Sequence, residues 1–366
     1  MSTDRRILHV ITDLDVGGAE NMLATLLEAR RPNAPKASVV SLTPAGPLAE
    51  RIAHAGVPVA DLGIAGAGAI LPGLWRLAAH IRSWKPHAIQ GWMYHGNLAA
   101  TVALGLSGRR RGTGLYWGIR CSDMDLSRYD RQLRLIVRAG ARLSHLPDAI
   151  VANSEAGRTT HERLGYQAQR FDVIDNGIDT ERFRPDPRAR AELRSSLGLA
   201  EGMPVLIHVA RRDPMKDHET MLASLAQLPG TALLVVGLGT ETLPERAGLH
   251  RLGRRDDVAR VLAASDLVVS SSAFGEGFPS AIAEGMAAGL PAVATDVGDS
   301  ARIIGGTGRV VPPSDPVAMS AAIAGLLKEG PESLAKRGIA ARRRIEENFS
   351  VARAAAAFDA LHLGLT

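Results

Sequence analysis

Two glutamates with seven residues between them, Glu276 and Glu284, lie in Phe274-Gly275-Glu276-Gly277-Phe278-Pro279-Ser280-Ala281-Ile282-Ala283-Glu284-Gly285. Glu276 falls in a glycine-flanked loop after an expected strand, and Pro279 suits the first turn of the helix that follows. Glu284 then stands about a turn and a half into that helix, among Ala, Ile, Gly and Met. A carboxylate in such company needs a partner, because burying it unpaired costs on the order of a few kcal/mol. A structural ion pair is the plain alternative, but this helix offers no basic neighbour. Sugar and ribose hydroxyls fit, since a carboxylate accepts two at once.

Arg211 and Lys216 form a second constellation, in Val209-Ala210-Arg211-Arg212-Asp213-Pro214-Met215-Lys216-Asp217-His218. Only five of the chain's 43 Lys and Arg residues are lysines, which sets Lys216 apart. A guanidinium fork and a compact ammonium on one loop suit a diphosphate; a solvated loop pair is the alternative. Near the start, Gly17 and Gly18 follow Asp13-Leu14-Asp15-Val16 and open a helix. Backbone N–H groups there can approach a phosphate, or the glycines can simply turn the chain. The full G-x-G-x-x-G of a dinucleotide site is absent. His95, in Trp92-Met93-Tyr94-His95-Gly96-Asn97, follows a strand end and opens a helix, where an imidazole titrates near neutrality. A capping or core-edge histidine is the competing reading. Asp13-Leu14-Asp15 and Asp123-Met124-Asp125 look like metal-binding Asp-x-Asp triplets of nucleotide-sugar enzymes. Such triplets are common by chance, and neither is assigned a metal.

Alternating strands and helices must position these residues. In the first half, strands are expected at Arg6–Thr12, Ala37–Leu42, Val57–Asp61, His87–Gly91, Gly114–Gly118, Ala149–Ala152 and Phe171–Ile174. Helices are expected at Ala19–Arg30, Pro72–Trp84 and Arg128–Leu143. The polar stretch Asn176–Arg190, with Pro185 and Pro187, reads as a linker. Strands resume at Pro204–Val209, Ala232–Val236, Leu267–Ser271, Ala292–Ala294 and Gly308–Val311. The pattern implies an α/β chain of two doubly wound domains facing across a cleft, with ligands beyond the carboxyl ends of the strands. The expected division is 1–180, with a helix at 349–366 packing back on it, and 181–348.

Composition agrees with that size. The 366 residues are 46% apolar and 22% charged, which excludes disorder and favours two domains. A single cysteine, Cys121, excludes an intramolecular disulfide and a cysteine-cluster metal site. The opening apolar run is too short for a signal peptide, and Ile52–Trp75 is broken by His54, Pro58, Asp61 and Pro72; a cytoplasmic protein is expected. Residues 1–180 hold 21 Arg and Lys against 16 Asp and Glu, whereas 181–366 hold 22 of each, so the formal net charge of +5 sits in the first half. Arg128, Arg131, Arg134, Arg138 and Arg142 form one helical stripe opposite Leu133, Ile136, Val137 and Leu143. The stripe is either a solvated face or a surface that meets an anionic bilayer or acceptor.

The chain resembles the retaining glycosyltransferases of the GT-B fold, glycosyltransferase family 4. The resemblance spans essentially the whole length and rests on motifs in order: Val16-Gly17-Gly18-Ala19-Glu20, Val151-Ala152-Asn153-Ser154, Val173-Ile174-Asp175-Asn176-Gly177-Ile178-Asp179, the Arg211/Lys216 loop and the two glutamates. Trp92–Asn97 and Trp117-Gly118-Ile119-Arg120 are similar to members that build bacterial surface polysaccharides such as lipopolysaccharide and exopolysaccharide. The resemblance implies a hexosyltransferase whose catalytic residues are Glu276, His95, Arg211 and Lys216; with Arg211, Lys216 and helix N-termini to meet the diphosphate charge, no divalent metal is expected. Arg211 and Lys216 would neutralise the diphosphate leaving group, and Glu276 would hold donor-sugar hydroxyls, with the backbone of Gly277 and Phe278 and the adjoining Pro279 beside them. Glu284 would accept ribose hydroxyls, Leu252-Gly253-Arg254 would border the base, Gly17 and Gly18 would line the cleft, and His95 would lie near donor sugar and acceptor. No cofactor is implied beyond the nucleotide diphosphate sugar itself, a UDP-sugar before a GDP-sugar. The implied partners are that donor and a saccharide acceptor, polyprenyl-linked, at the inner face of the cytoplasmic membrane. One departure concerns the segment after Val236-Gly237-Leu238-Gly239, where only Thr240–Ala247, with Pro244, replaces the family's longer helix. A sugar-nucleotide epimerase, a non-catalytic sugar-nucleotide binder and a metal-dependent transferase using Asp123 and Asp125 are the competing readings. Nucleic acid is not expected as a partner, since no recognised motif and few stacking aromatics are present.

Overall fold

In the computed structural model the described residues are 5–364, apart from 16, 32, 123–130 and 201. From the amino end the elements are β1 (Arg6–Ile11), α1 (Gly18–Glu28), β2 (Lys36–Ser41), α2 (Leu48–His54), β3 (Val59–Asp61), α3 (Ala67–Trp84) and β4 (Ala88–Trp92). Next come α4 (Met93–Ser107), β5 (Gly114–Ile119), α5 (Arg131–Leu143), β6 (Ala149–Ala152), α6 (Glu155–Arg163) and β7 (Phe171–Val173). The second half holds α7 (Pro187–Ser196), β8 (Val205–Val209), α8 (His218–Leu225), β9 (Ala232–Val236), β10 (Leu249–Gly253), α9 (Val258–Ala263), β11 (Leu267–Ser270) and α10 (Ser280–Ala287). It closes with β12 (Ala292–Thr295), α11 (Ser300–Ile304), β13 (Arg309–Val311), α12 (Pro316–Lys328), α13 (Pro331–Asn348) and α14 (Val351–Leu363).

The strands form two wholly parallel sheets, ordered β3-β2-β1-β4-β5-β6-β7 and β10-β9-β8-β11-β12-β13. Apolar runs such as Ala232–Val236 are buried along their length, as parallel strands with both faces covered require. Contacts divide the chain into Met1–Gly177 with Val351–Thr366, and Ile178–Ser350. In the first unit one core layer joins Leu8 and Trp117 to Ala100 and Leu104 of α4, and the other joins Ile11 and Trp92 to Leu23 of α1 and Phe358 of α14. The last helix therefore completes the first unit. Phe358 is 2% exposed beside the Trp92 ring, with centroids 5.8 Å apart, and His362 Nε2 donates to Gln90 Oε1 at 3.0 Å.

Three local expectations change. The linker is shorter than Asn176–Arg190, because Asp186 caps α7 by accepting from the Ala189 N–H at 2.9 Å, which places Pro187 in the first turn. Helix α3 begins at Ala67 rather than Pro72 and carries the proline inside it. A missing N–H so near the amino end removes one bond without breaking the helix. Strand β10 was not expected at all. Its Leu-His-Arg-Leu-Gly sequence lacks a β-branched run, and it is a half-buried edge strand with a bulge between Arg251 and Gly253. The segment between β9 and β10 forms only a 3-10 turn at Thr240–Thr242, so the crossover has no α-helix.

Candidate functional site

In each unit the chain reverses its direction of sheet building between two neighbouring strands: β1 and β4 in the first, β8 and β11 in the second. Ligands bind beyond the carboxyl ends of the strands at such switch points. The glycine loop and His95 follow β1 and β4, and the Arg211/Lys216 and Glu276 loops follow β8 and β11.

The second unit brings two of the selected charges into contact. Lys216 Nζ forms an ion pair with Glu276 Oε1, their side chains being 19% and 11% exposed. Ser272 Oγ donates to the same carboxylate oxygen at 2.6 Å. The loops carrying this pair are pinned on every side. Asp213 accepts from the Met215 N–H at 2.9 Å and starts the short turn Pro214–Lys216. Ser271 Oγ donates to the carbonyls of Lys216 and Asp217 at 2.9 and 3.0 Å, and the Ala273 N–H donates to the Met215 carbonyl at 2.8 Å. His218 Nε2 donates to the Arg211 carbonyl at 3.0 Å. Asp217 has φ 45° and caps α8 through the Thr220 N–H at 3.1 Å.

The Glu276 loop rests on Gly298. This glycine has φ 61°, and a Cβ there would lie 2.4 Å from the Glu276 carbonyl oxygen and 2.6 Å from that of Gly277. Phe278 packs its ring into the core against Phe349, at 5.6 Å between centroids, so only its backbone remains for a ligand. The N–H groups of Gly277 and Phe278 donate no hydrogen bond among the described residues. Pro279 precedes α10 as its cap rather than entering its first turn. On α10, burial pushes the Glu284 carboxyl from 4.5 up to about 7, against a weaker pull from Arg182. No side chain among the described residues hydrogen-bonds or ion-pairs with this half-buried carboxylate. A carboxylate so placed keeps acceptor capacity for a ligand.

The other candidate residues have settings of their own. Arg211 is 58% exposed and forks onto Asp213 of its own loop, at 2.9 and 3.1 Å. Arg254 is exposed directly after β10. In the first unit Gly17 is the cap residue of α1. A Cβ on it would meet the Glu20 carboxylate, whereas Gly18 faces open space. Burial raises the Glu20 carboxyl, and the charges of Asp13 and Asp15 raise it further. The loop read as a phosphate cradle is thus ringed by carboxylates. His95 lies half-buried in the first turn of α4, whose close approach to β1 needs Gly96, where a Cβ would be 2.5 Å from the Val10 carbonyl oxygen. Burial pushes the Cys121 thiol up to about 11, so it is no nucleophile at neutral pH.

Arg131, Arg138 and Arg142 are exposed and Arg134 is half-buried on α5, and none has an ion-pair partner among the described residues. Val137 is buried on the opposite face, with Leu133, Ile136 and Leu143 packed beside the core. Val16, Asp123, Asp125 and Arg128 lie outside the described residues. Among those described, no three His, Cys, Asp or Glu side chains gather as a metal site, and no helix is long and apolar enough to cross a membrane. Sequence reasoning missed Ser271, Ser272, His218 and Gly298. The run Ser270-Ser271-Ser272 at the end of β11 is the visible signal, but strand-end serines are ordinary.

Comparison with known proteins places these features in a family. Residues 16–182 match a model described as Glycosyltransferase Family 4, and residues 203–329 match one described as Glycosyl transferases group 1. A D-inositol 3-phosphate glycosyltransferase of Nocardia farcinica is 34% identical over 192 residues, 45% of this chain and 41% of that protein. A phosphatidyl-myo-inositol mannosyltransferase of Mycolicibacterium smegmatis is 33% identical over 194 residues, covering 49% of this chain and 48% of that protein. The matches thus span less than half the length of these curated relatives. The structure of HepE from Anabaena in complex with UDP-glucose superimposes with a TM-score of 0.84, at 22% identity, over 99% of this chain and 100% of that one. With a family model on each half and a shared fold over nearly the full length, the chain belongs to the family 4-type glycosyltransferases of the GT-B fold.

Proposed function

We propose that the protein transfers a hexose-type sugar from a UDP-sugar to a hydroxyl of a saccharide acceptor, with retention at the anomeric carbon. The observation that carries this reading is the Lys216–Glu276 pair at the switch point of the second unit, with the Glu284 carboxyl raised by burial on the adjoining helix. In this reading Glu276 accepts donor-sugar hydroxyls and Glu284 accepts ribose hydroxyls. Lys216 and Arg211 meet the charge that develops on the diphosphate as its bond to the sugar breaks, with the N–H groups of Gly277 and Phe278 as further donors. In the first unit, His95 and the backbone of Gly17 and Gly18 take part in binding the substrates. Arg254 and its neighbours border the base, in a pocket shortened by the helix-free crossover. No divalent metal is required, because these cations supply the counter-charge. The acceptor is a polyprenyl-linked saccharide of bacterial surface polysaccharide assembly, reached from the inner face of the membrane through the α5 stripe.

A thermal-stability screen of UDP, GDP and their sugars, followed by an assay for released nucleotide diphosphate with and without saccharide acceptor and chelator, tests the reading. Stabilisation by UDP-sugars and acceptor-dependent, chelator-resistant release are expected. Binding without release makes the protein a sugar-nucleotide binder. Complete loss on chelation, restored by magnesium or manganese, returns Asp123 and Asp125 to the reaction.

A further inference from the structure

The donor-site pair is itself held by two consecutive serines. Ser271 and Ser272 follow the end of β11, where successive side chains point to opposite sides. Ser271 Oγ donates to the backbone carbonyl of Lys216 at 2.9 Å, and Ser272 Oγ donates to the carboxylate of Glu276 at 2.6 Å. One serine thus fixes where the lysine leaves its loop, and the next fixes where the carboxylate points. Ser272 is in turn anchored from the neighbouring strand: Thr295 Oγ1 donates to its carbonyl at 2.6 Å, and the residue is 1% exposed. A buried hydroxyl aimed at a charged carboxylate is a strong, directional contact. Glu276 sits between Gly275, at φ 79°, and Gly277; the held loop backbone places its Cα, and side-chain contacts set where its carboxylate points.

We propose that Ser272 is a positioning residue for the donor sugar: by sharing one oxygen of Glu276 with Lys216, its hydroxyl sets the carboxylate in the orientation that receives the sugar hydroxyls. This rests on the assignment of Glu276 to the donor sugar, and it adds a residue that touches no substrate. Ser272 acts on the donor through Glu276, its Ser270 contact at 3.4 Å lying on its own strand end, so its loss affects the sugar and spares the nucleotide. Preorganised contacts of this kind carry specificity because they need no rearrangement when the ligand arrives.

The test compares binding of UDP and of UDP-glucose to the parent, Ser272→Ala, Glu276→Ala and the double variant. Ser272→Ala is expected to bind UDP as the parent does and to lose about 10- to 100-fold of the additional affinity for UDP-glucose. In the Glu276→Ala background the serine change is expected to cost nothing further, a coupling that a purely structural role would not produce. Equal losses for UDP and UDP-glucose, or additive losses in the double variant, would overturn the proposal. If Ser272→Ala does not fold, Ser272→Cys preserves the volume with a weak donor and is held to the same outcomes. A parent that binds neither probe overturns the donor reading instead. The crystal structure of the serine variant then decides the positioning role: a displaced or divided Glu276 carboxylate supports it, and a single carboxylate still on Lys216 refutes it.

Discussion

Lys216 and Glu276 each serve as the other's counter-ion before any donor arrives. Removing one alone leaves a partly buried charge uncompensated, which costs stability as well as chemistry. Lys216→Ala and Glu276→Ala are expected to lower turnover about 30- to 1,000-fold, through roughly 2–4 kcal/mol of lost transition-state stabilisation. Each is also expected to lower thermal stability, by about 1–3 kcal/mol. Lys216→Met combined with Glu276→Gln should regain much of that stability and none of the turnover. Thermal unfolding and nucleotide release measured on the same samples separate the effects; near-native turnover by either single variant removes both residues from the site. Glu284 makes a pH-dependent prediction. Its native carboxyl titrates at about 7 against 4.5 when unperturbed, so between those values the unfolded chain has released a proton that the native fold keeps. The group therefore lowers stability as pH rises from about 5 to 7, then adds no further change. Glu284→Gln should be more stable relative to the parent at about pH 8 than at about pH 5, by roughly 1–2 kcal/mol after allowance for solvent screening. Melting curves at the two pH values check it, and a constant difference refutes it. Lys216 and Glu276 stand out by residue type and setting in the sequence, but their ion pair does not. It depends on β8 and β11 being neighbours, which the order of elements along the chain does not state.

Elements with strong local signals were legible, and those defined by their surroundings were not. Ala149–Ala152 and Ala232–Val236 are apolar runs between turns, and they became strands at the expected residues. Strand β10 has no such pattern because an edge strand, half-covered, places little demand on its side chains. The two ends of α14 were nearly right because an alanine-rich helix is a local property, whereas its seat against Trp92 and Gln90 is a tertiary one. Gly298 shows the same limit. Nothing in Asp296-Val297-Gly298-Asp299 announces that its turn supports the Glu276 loop. Gly298→Ala adds a Cβ at φ 61° within 2.4 Å of the Glu276 carbonyl oxygen. The loop must move, at a cost of about 1–3 kcal/mol, and turnover is expected to fall at least about tenfold. Retained activity with a lowered melting point would mean that the loop absorbs the shift without moving the carboxylate.

At the scale of the molecule, charge is distributed unevenly and differently paired. In the second unit arginines are widely ion-paired, as in Arg190 and Arg194 with Asp266, Arg337 with Glu329 and Arg255 with Asp257. The α5 arginines have no such partner among the described residues, and Leu135 stands beside them 63% exposed. Each basic residue near an anionic bilayer contributes about 1 kcal/mol, so changing Arg131, Arg134 and Arg138 together to Gln should reduce sedimentation with anionic vesicles and leave nucleotide binding intact. Vesicle binding unchanged by the triple change, or absent in the parent at low salt, makes the stripe a solvated face.

The return of α14 to the first unit has a consequence for how the chain is made. Residues 178–350 form a contiguous unit, while the first unit needs residues 351–363 to cover Trp92 and Gln90. During synthesis the second unit can therefore finish folding while the earlier-made half still waits for its final helix, the reverse of the usual amino-terminus-first order. A separate 178–350 segment is expected to unfold cooperatively, whereas 1–177 is expected to do so only after a peptide spanning 351–364 is added. Cooperative unfolding of 1–177 alone, at the same midpoint with and without the peptide, would show that the first half is already complete when it leaves the ribosome.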